Sequence, residues 1–310
     1  MCETSPILIV GCRRSGTTLM RTILEGHTDL LVHPDEPQFF LELFRVFGLT
    51  ELDATPAIKY IVHHKYTAPE VAEEDLVGNR VPQNLRELTK RYFESWLAGH
   101  RGKRPVLKHP ALAFYRDAAE ALFPGFTVIH VVRDPRANVS SQRQRWPHIS
   151  VFACAIHWRR AVRAAREWSV DHAERYVEIQ YESLVLQPER TIRELCRQLS
   201  IPYDEDLLSF RQKETVYEPG EGARTKVYFG PDESRLNLWR RWLTSDDVKI
   251  VESVCAEEMS WWDYTPVSPA DRPLHLRRRV LMESFAYYAR RLARSVFRNY
   301  RHRRLLSRMT

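Results

Sequence analysis

The segment from Ile7 to Arg21 constrains this chain more than any other stretch. It begins with four apolar residues of high β propensity, ILIV, which predict a buried strand. Gly11 and Gly16 then bracket a short loop, and an apolar helical pattern follows. A strand, a glycine-containing loop and a helix N-terminus present free backbone N–H groups and the positive end of a helix dipole, so this junction predicts an anion site.

The loop differs at one position from the loop that binds nucleoside triphosphates. Its spacing fits G-x-x-x-x-G-K-[S/T], but Thr17 stands where that motif carries lysine. Arg13 and Arg14 bring positive charge into the loop instead. We therefore predict a phosphate-binding loop whose ligand is not Mg-ATP. The competing interpretation is an ordinary glycine-rich turn between a strand and a helix.

Length and cysteine pattern limit the class of protein. A chain of 310 residues holds one large α/β domain or two smaller ones, and 44% apolar residues suffice for a sizeable core. The five cysteines form no C-x-x-C pair, which argues against a zinc site or a disulfide framework and indicates a reducing, cytoplasmic location. The first predicted strand begins at Ile7 and no run of 18 apolar residues occurs, so we expect neither a signal peptide nor a transmembrane anchor.

The net charge of +7 is unevenly distributed. Residues 272–310 contain 12 arginines and one acidic residue, a net charge of +11, whereas the rest of the chain carries −4. The overall basicity is therefore no argument for nucleic-acid binding by the body of the chain. We divide the chain into a domain at 1–271 and a basic helical tail at 272–310.

Strand patterns alternate with helical patterns along the body, and two of the predicted helices cover 111–123 and 153–175. This alternation predicts an α/β fold, a parallel sheet flanked by helices on both faces. Ligands of such sheets bind beyond the carboxyl ends of the strands. The candidate segments at predicted strand ends are 11–18, 34–36, 108–109 and the segment that starts at Arg133.

A second phosphate site is predicted where the strand pattern 126–132 ends. Arg133 follows that strand, Ser141 lies about two turns into the next predicted helix, and Arg145 lies one turn later. Arginine and hydroxyl groups bind phosphate through charge-assisted hydrogen bonds. The alternative is a salt bridge between Arg133 and the neighbouring Asp134.

Together the two segments resemble the sulfotransferases that use 3′-phosphoadenosine 5′-phosphosulfate (PAPS). The family's 5′-phosphosulfate loop is similar to RSGTT at 14–18, and its 3′-phosphate segment is similar to VRDPR at 132–136 with a serine eight residues after the arginine, here Ser141. The run from Arg14 to Asp29 is most similar to the protein-tyrosine sulfotransferases. The resemblance extends from about residue 6 to 266 and implies a P-loop-type fold, PAPS as the donor and no metal.

The resemblance also implies which residues bind the donor. Arg145 matches the family's third arginine, and Tyr181 matches its adenosine-contacting tyrosine. In the family, a basic residue of a late loop closes over the 3′-phosphate. Our first choice for that basic residue is Arg235, and our second is Lys226. The implied donor-binding set is Arg14, Ser15, Gly16, Thr17, Thr18, Arg133, Ser141, Arg145, Tyr181 and Arg235.

Sulfuryl transfer needs cations near the bridging oxygen, donors on the equatorial oxygens and a base on the attacking hydroxyl. Arg14 serves as one cation, and Lys108 matches a lysine that the family carries at the end of a central strand. The competing interpretation of Lys108 is a lysine whose stem covers apolar surface at a strand end.

Three residues are candidates for the base. Glu36 matches the catalytic glutamate of the tyrosine enzymes if one inserted residue is allowed, and Asp35 matches without the insertion. His109 is the rival because small-molecule sulfotransferases use a histidine two residues after the lysine. Side chains alternate along a strand, so Lys108 and His109 should diverge, which favours Glu36. Pro37-Gln38 replaces the Thr-Arg of the tyrosine enzymes, so the acceptor hydroxyl is left open among carbohydrate, lipid, other metabolite and peptide tyrosine.

The tail predicts a helix with apolar residues on one stripe and arginines largely opposite. Such a helix suits an anionic membrane surface, which would make the protein peripheral at the membrane. The alternative is a helix that packs this stripe on the body. We expect no specific nucleic-acid partner, since no recognised module accompanies the arginines. The stripe consists of Leu281, Phe285, Tyr288, Leu292 and Val296.

The predicted function is in-line transfer of a sulfuryl group from PAPS to an acceptor hydroxyl with a carboxylate base. A P-loop kinase and a non-catalytic, membrane-associated nucleotide-binding protein are the alternatives. Thr17 in place of the P-loop lysine argues against the kinase. The presence of Lys108, Glu36 and both phosphate segments argues against the non-catalytic protein.

Overall fold

The computed structural model describes residues 5–49, 52–211, 233–268 and 274–296. Five parallel strands form one sheet in the order β2-β3-β1-β4-β5. Helices flank the sheet, which confirms the predicted α/β class. The strands are β1 (Ile7–Gly11), β2 (Leu30–Val32), β3 (Arg104–Lys108), β4 (Thr127–Val132) and β5 (Tyr176–Gln180).

The α-helices of the described residues follow in chain order. They are α1 (Thr17–Leu24), α2 (Gln38–Phe47), α3 (Ala54–Val62), α4 (Glu73–Val77), α5 (Leu85–Leu97), α6 (Arg116–Leu122), α7 (Pro135–Arg145), α8 (Val151–Arg166), α9 (Trp168–Asp171), α10 (Tyr181–Leu186), α11 (Pro188–Leu199), α12 (Ser234–Asn237), α13 (Trp239–Trp242), α14 (Ser245–Ser260) and α15 (Leu274–Val296). Short 3₁₀ helices span Pro110–Phe114, Ala173–Arg175 and Glu205–Arg211.

Both faces of the central strand are covered, which is why β1 is apolar at four successive positions. Leu8 and Val10 pack into a core with α2, α3 and α5, whereas Ile7 and Ile9 pack into a second core with α1, α10 and α11. Side chains alternate between the two faces of a strand, so a strand buried on both faces lacks polar positions.

The sheet order brings the predicted strand ends to one edge. Ile9 of β1 is in register with Lys108 of β3 on one side and with Ile129 of β4 on the other. The loop after β1 and the residues that follow β3 and β4 therefore meet at the carboxyl edge. β2 pairs with β3 and adds the residues after Val32 to the same edge.

Two predicted helices are shorter in the structure. The pattern at 111–123 divides into the 3₁₀ helix Pro110–Phe114 and α6. The pattern at 153–175 divides after α8, and Trp168 at the start of α9 is 1% exposed against Phe126, with ring centroids 5.4 Å apart. Tertiary packing of one tryptophan thus overrides the continuous helical periodicity.

Helix α15 docks on the body through a face other than the predicted stripe. Leu276 is 1% exposed in a core shared with α8 and α14, and Arg279 forms an ion pair with Asp247 at 2.6 Å. The four stripe residues with described side chains, Leu281, Phe285, Tyr288 and Leu292, face outward, and Phe285 and Leu292 are 76% and 69% exposed. In the part of the chain that the structure describes, no helix has the length and apolar character needed to cross a membrane.

Candidate active site

The loop after β1 needs glycine at two positions. Gly11 has φ 147° and Gly16 has φ 100°, in the region that side chains disfavour. A Cβ atom on Gly11 would lie 2.5 Å from the carbonyl oxygen of Val131, and one on Gly16 would lie 2.4 Å from the ring of Tyr181. The two glycines therefore allow β4 and Tyr181 to contact the loop directly.

Helix α1 begins at Thr17 with its N-terminus at the end of this loop. Within the described part of the chain no side chain caps it, and Gly16 occupies the N-cap position in the left-handed conformation. The first N–H groups of a helix have no partner within the helix, so they are available to an anion. Arg14, at φ 70°, also takes the left-handed conformation, which is uncommon for a residue with a side chain.

Four arginines gather at the loop. Nε of Arg14 donates to Oγ of Ser141 at 3.1 Å, and Nη1 of Arg133 donates to the carbonyl oxygen of Arg14 at 3.2 Å. Burial lowers the pKa of Arg14, and the positive charges of Arg133, Arg145 and Arg235 lower it further. Repulsion among clustered cations is relieved by a bound anion. The two segments predicted to bind phosphate thus form a single cationic site.

Arg133 is directed at this site and away from its acidic neighbour. Its guanidinium lies 4.4 Å above the ring of Tyr181, and its Nη2 donates to the carbonyl oxygen of Arg235 at 3.2 Å. Asp134 instead pairs with Arg136 at 2.6 Å. Nε of Arg133 is buried without a hydrogen-bond partner among the described residues, so a donor remains for a ligand.

Lys108 and Glu36 contact each other at the same edge of the sheet. Nζ of Lys108 lies 2.6 Å from Oε2 of Glu36, and both side chains are mostly buried. β3 ends at Lys108, and Glu36 follows the adjacent β2. Arg21 of α1 donates a hydrogen bond to the carbonyl oxygen of Pro34 and so anchors the connection that carries Glu36. The arrangement combines a cation and a carboxylate beside the anion site.

The two alternative bases lie nearby. His109 is 3% exposed, and neither of its ring nitrogens has a hydrogen-bond partner within the described ranges. Burial lowers the pKa of His109 to about 4, although the negative charge of Glu36 acts to raise this pKa. Its imidazole is therefore neutral near pH 7. The backbone N–H and C=O of Asp35 both approach Nδ1 of His33, at 3.3 and 3.0 Å.

The other predicted donor-binding residues lie on the same elements. Ser15 and Thr17 are buried, and Arg145 is exposed at the end of α7. Arg235 lies in α12. Lys226, our second choice for the late basic residue, lies outside the described residues.

Sequence reasoning did not find the polar network behind the loop. Nδ2 of Asn138 donates to the carbonyl oxygen of Arg13 and to Oγ of Ser15, both at 3.0 Å. Nε2 of Gln142 donates to Oδ1 of Asn138 at 2.7 Å. The only sequence signal for this pair is its i, i+4 spacing on the helix that carries Ser141, and buried and exposed amides look alike in a sequence.

Comparison with models of protein families identifies the family of this chain. The model described as the Sulfotransferase family matches residues 6–205, which include the loop, all five strands, Glu36, Lys108 and Arg133. This range is more than half of the chain, and the chain therefore belongs to the Sulfotransferase family.

Two curated relatives of this chain are protein-tyrosine sulfotransferases. The chain is 26% identical over 234 residues to protein-tyrosine sulfotransferase 1 of Danio rerio, covering 73% of this chain and 61% of that protein. It is 25% identical over 269 residues to the protein-tyrosine sulfotransferase of Drosophila melanogaster, covering 84% and 47%. The chain thus spans about half to two thirds of the length of these relatives.

Solved structures share the fold. The sulfotransferase domain from the curacin biosynthetic pathway is similar with a TM-score of 0.62 and 20% identity, covering 87% of this chain and 100% of that one. The sulfotransferase domain from the Synechococcus PCC 7002 olefin synthase is similar with a TM-score of 0.55 and 22% identity, covering 81% and 95%.

Proposed function

We propose that this protein transfers a sulfuryl group from PAPS to a hydroxyl group of an acceptor. The observation that carries the proposal is the contact between Arg14 and Ser141, because it joins two phosphate-binding segments 127 residues apart into one cationic site. A nucleotide with phosphate groups at both its 3′ and 5′ positions suits such a pair of subsites. Membership of the Sulfotransferase family supports the same conclusion.

The described residues fit this donor. The backbone N–H group of Arg14 and those of residues 16–18 at the N-terminus of α1 would hold the 5′-phosphosulfate. The N–H of Ser15 donates to the carbonyl oxygen of Cys12 at 3.1 Å. Arg133 and Ser141 would hold the 3′-phosphate, and the unpartnered Nε of Arg133 is available for it. Tyr181, packed against Gly16 and beneath Arg133, would contact the adenosine.

The residues at the strand ends would carry the chemistry. When bound, the donor supplies the sulfuryl group, whose bond to the 5′-phosphate oxygen breaks as the acceptor oxygen bonds to sulfur. Glu36 accepts the proton of the acceptor hydroxyl. Lys108 and Arg14 stabilise the negative charge that develops on the leaving oxygen.

The proposed reaction requires only that the acceptor carry a hydroxyl group. A carbohydrate, a lipid, another metabolite and a peptide tyrosine all carry a suitable hydroxyl. Pro37 is the N-cap of α2 and Gln38 is its first residue, so both directly follow Glu36, the proposed base for the attacking hydroxyl. We propose that they help select the acceptor, in place of the Thr-Arg pair of the tyrosine enzymes.

Calorimetry with adenosine 3′,5′-bisphosphate tests the donor assignment. We expect binding without Mg²⁺, because arginines and N–H groups neutralise the phosphates. Arg133→Ala should weaken this binding at least about tenfold, since a hydrogen bond to a charged group contributes roughly 1.5–3 kcal/mol. Arg190→Ala, which removes an exposed arginine on α11, is the matched control and should leave the affinity unchanged.

A different nucleotide preference would contradict the assignment. Binding of ATP that requires Mg²⁺, with no binding of the bisphosphate, would instead support the P-loop kinase. Bisphosphate binding without any transfer to hydroxyl acceptors would support the non-catalytic binding protein.

We further propose that α15 holds the protein at an anionic membrane surface. The helix docks through one face and presents an apolar stripe on the other, where Phe285 and Leu292 are exposed. Residues 274–296 carry six arginines and one glutamate. A basic helix with an exposed apolar face lies in a membrane interface with its apolar side chains among the acyl chains.

We propose a cytoplasmic location, peripheral at the membrane. The support is the chemistry of the cysteines. Among the described residues they are buried thiols that form no disulfide: Cys12, Cys154, Cys196 and Cys255.

A further inference from the structure

Two carbonyl groups of the proposed donor loop accept hydrogen bonds from side chains outside the loop. Arg13 and Arg14 are the residues concerned: the carbonyl oxygen of Arg13 accepts from Asn138, and that of Arg14 accepts from Arg133. Arg14 is in the left-handed conformation, which a side chain makes less favourable. Such a conformation persists only where surrounding contacts maintain it.

Asn138 and Gln142 supply contacts of this kind from α7. Both side chains are fully buried. The amide of Asn138 is held in one orientation because its Nδ2 has two acceptors and its Oδ1 accepts from Gln142 at 2.7 Å. Oε1 of Gln142 in turn accepts from Nε of Arg13 at 2.9 Å. The two amides thus link backbone and side chains of the loop to one helix.

We infer that Asn138 and Gln142 are positioning residues for the donor. They hold the loop in the backbone conformation that binds the 5′-phosphosulfate, and they keep it in register with Ser141 on the same helix. Neither residue carries charge, so their effect on the anion comes through the loop. The inference rests on the proposed function, because it assumes that the loop binds the 5′ group of the nucleotide.

The physical reason is the cost of unpaired polar groups. Without the Asn138 amide, the carbonyl of Arg13 and the hydroxyl of Ser15 would be buried without their partner, and the loop would relax to satisfy them. Displacing a binding group by about 1 Å is enough to lose much of its interaction. The interaction lost belongs to the 5′ end of the ligand, since among the described residues the hydrogen bonds of the two amides go to Arg13, Ser15, Cys12 and each other, and none goes to the side chain of Arg133 or Ser141.

Binding of two nucleotides distinguishes an effect on the 5′ subsite from an effect on the 3′ subsite. Adenosine 3′,5′-bisphosphate occupies both, and adenosine 3′-phosphate lacks the 5′ group. We expect Asn138→Leu and Gln142→Met, which preserve side-chain volume, to weaken the bisphosphate at least tenfold in calorimetry and to change the affinity for adenosine 3′-phosphate less than threefold. The double variant should lose no more than the stronger single variant, because the two amides act as one unit. Gln144→Ala, at an exposed position of α7, is the matched control.

Other outcomes would overturn the inference. Wild-type affinity of Gln142→Met for the bisphosphate would do so even if Asn138→Leu failed to fold. Equal losses for both nucleotides, or failure of both variants to fold, would assign the amides a purely structural role. Absence of bisphosphate binding by the wild-type protein would instead refute the proposed function.

Discussion

The ion pair of Glu36 and Lys108 gives the proposed chemistry its geometry. A carboxylate 2.6 Å from an ammonium group is held in place and is partly shielded from water. Glu36 belongs to an irregular connection, yet Arg21 fixes that connection through the carbonyl group of Pro34. A proton acceptor positioned in this way reaches a substrate without rearrangement of the sheet.

Glu36→Gln should abolish transfer while sparing donor binding. Glutamine keeps the shape of the side chain but cannot accept the proton, and general-base catalysis contributes about 10²–10⁴-fold. Transfer of labelled sulfate from PAPS to acceptors in cell extract measures the loss, and calorimetry with the bisphosphate should show a change of less than about threefold. His109→Gln and Asp35→Asn are the controls. Full activity of Glu36→Gln together with loss in one control would move the base to that residue.

Buried histidines make stability depend on pH. Burial lowers the pKa of His33 and of His109 to about 4 and that of His157 to about 3. Unfolding returns each pKa to about 6.5, so the unfolded state binds more protons between these values. The free energy of unfolding should therefore fall as the pH decreases from 6.5 towards 4, by about 2 kcal/mol per histidine at pH 5.

Thermal unfolding followed by circular dichroism at pH 7 and pH 5 measures this loss. His33→Gln should reduce the difference between the two pH values, because glutamine keeps a polar contact with Tyr92 but does not titrate. His148→Asn replaces an exposed histidine and should leave the difference unchanged. Equal pH dependence in wild type and His33→Gln would show that His33 does not contribute.

At the scale of elements, strands were easier to predict than helices. The prediction of a strand at 126–132 agrees with β4 at Thr127–Val132 to within one residue, because a buried strand is a short, largely apolar run whose end is marked by polar residues. Helical periodicity continues through 153–175, but the chain leaves the helix so that Trp168 enters the core. Packing of that kind has no local signature.

Helix α7 illustrates how one element serves several purposes. Asp134 caps it through the N–H of Arg136, and Pro135 occupies its first position, both of which a sequence indicates. Its loop-facing side carries Ser141, which we predicted, and Asn138, which we did not. Arginine and serine suggest phosphate binding, whereas an asparagine in a helix suggests nothing specific.

Helix α15 is a second element whose packing the sequence did not predict. Its sequence offers two apolar faces, one with Leu276 and Val280 and the other with Phe285 and Leu292. We predicted the face with Phe285 and Leu292 but not the other, and only the shape of the body decides that the face with Leu276 and Val280 docks. The docked face fits against α8 and α14.

At the scale of the whole molecule, the exposed face of α15 predicts membrane association. Phe285→Asn with Leu292→Asn in the full chain should reduce sedimentation with phosphatidylserine vesicles at least about tenfold, since burial of each apolar side chain contributes roughly 1.5–3 kcal/mol. Neutral phosphatidylcholine vesicles should bind less protein, because the arginines then lack anionic partners. The docked face is unchanged, so the body should stay folded.

Leu186→Asn is the matched control, since Leu186 is an exposed leucine on α10. It should leave vesicle binding unchanged. Unchanged binding of the double variant would contradict the membrane proposal. A wild-type dimer that becomes a monomer in the double variant, without vesicle binding by either, would assign the stripe to contact between two copies.

The sequence by itself determined the strand–loop–helix junction, the parallel sheet and the residue types at the strand ends. These follow from periodicity and from motifs within about 20 residues, where chain connectivity already restricts geometry. Only the tertiary structure decided which side chains meet: Lys108 with Glu36 across 72 residues, and Arg14 with Ser141 across 127. Such contacts depend on sheet order and register, which segments far apart in the sequence determine jointly. The face by which α15 docks is likewise determined by distant segments, those that form α8 and α14.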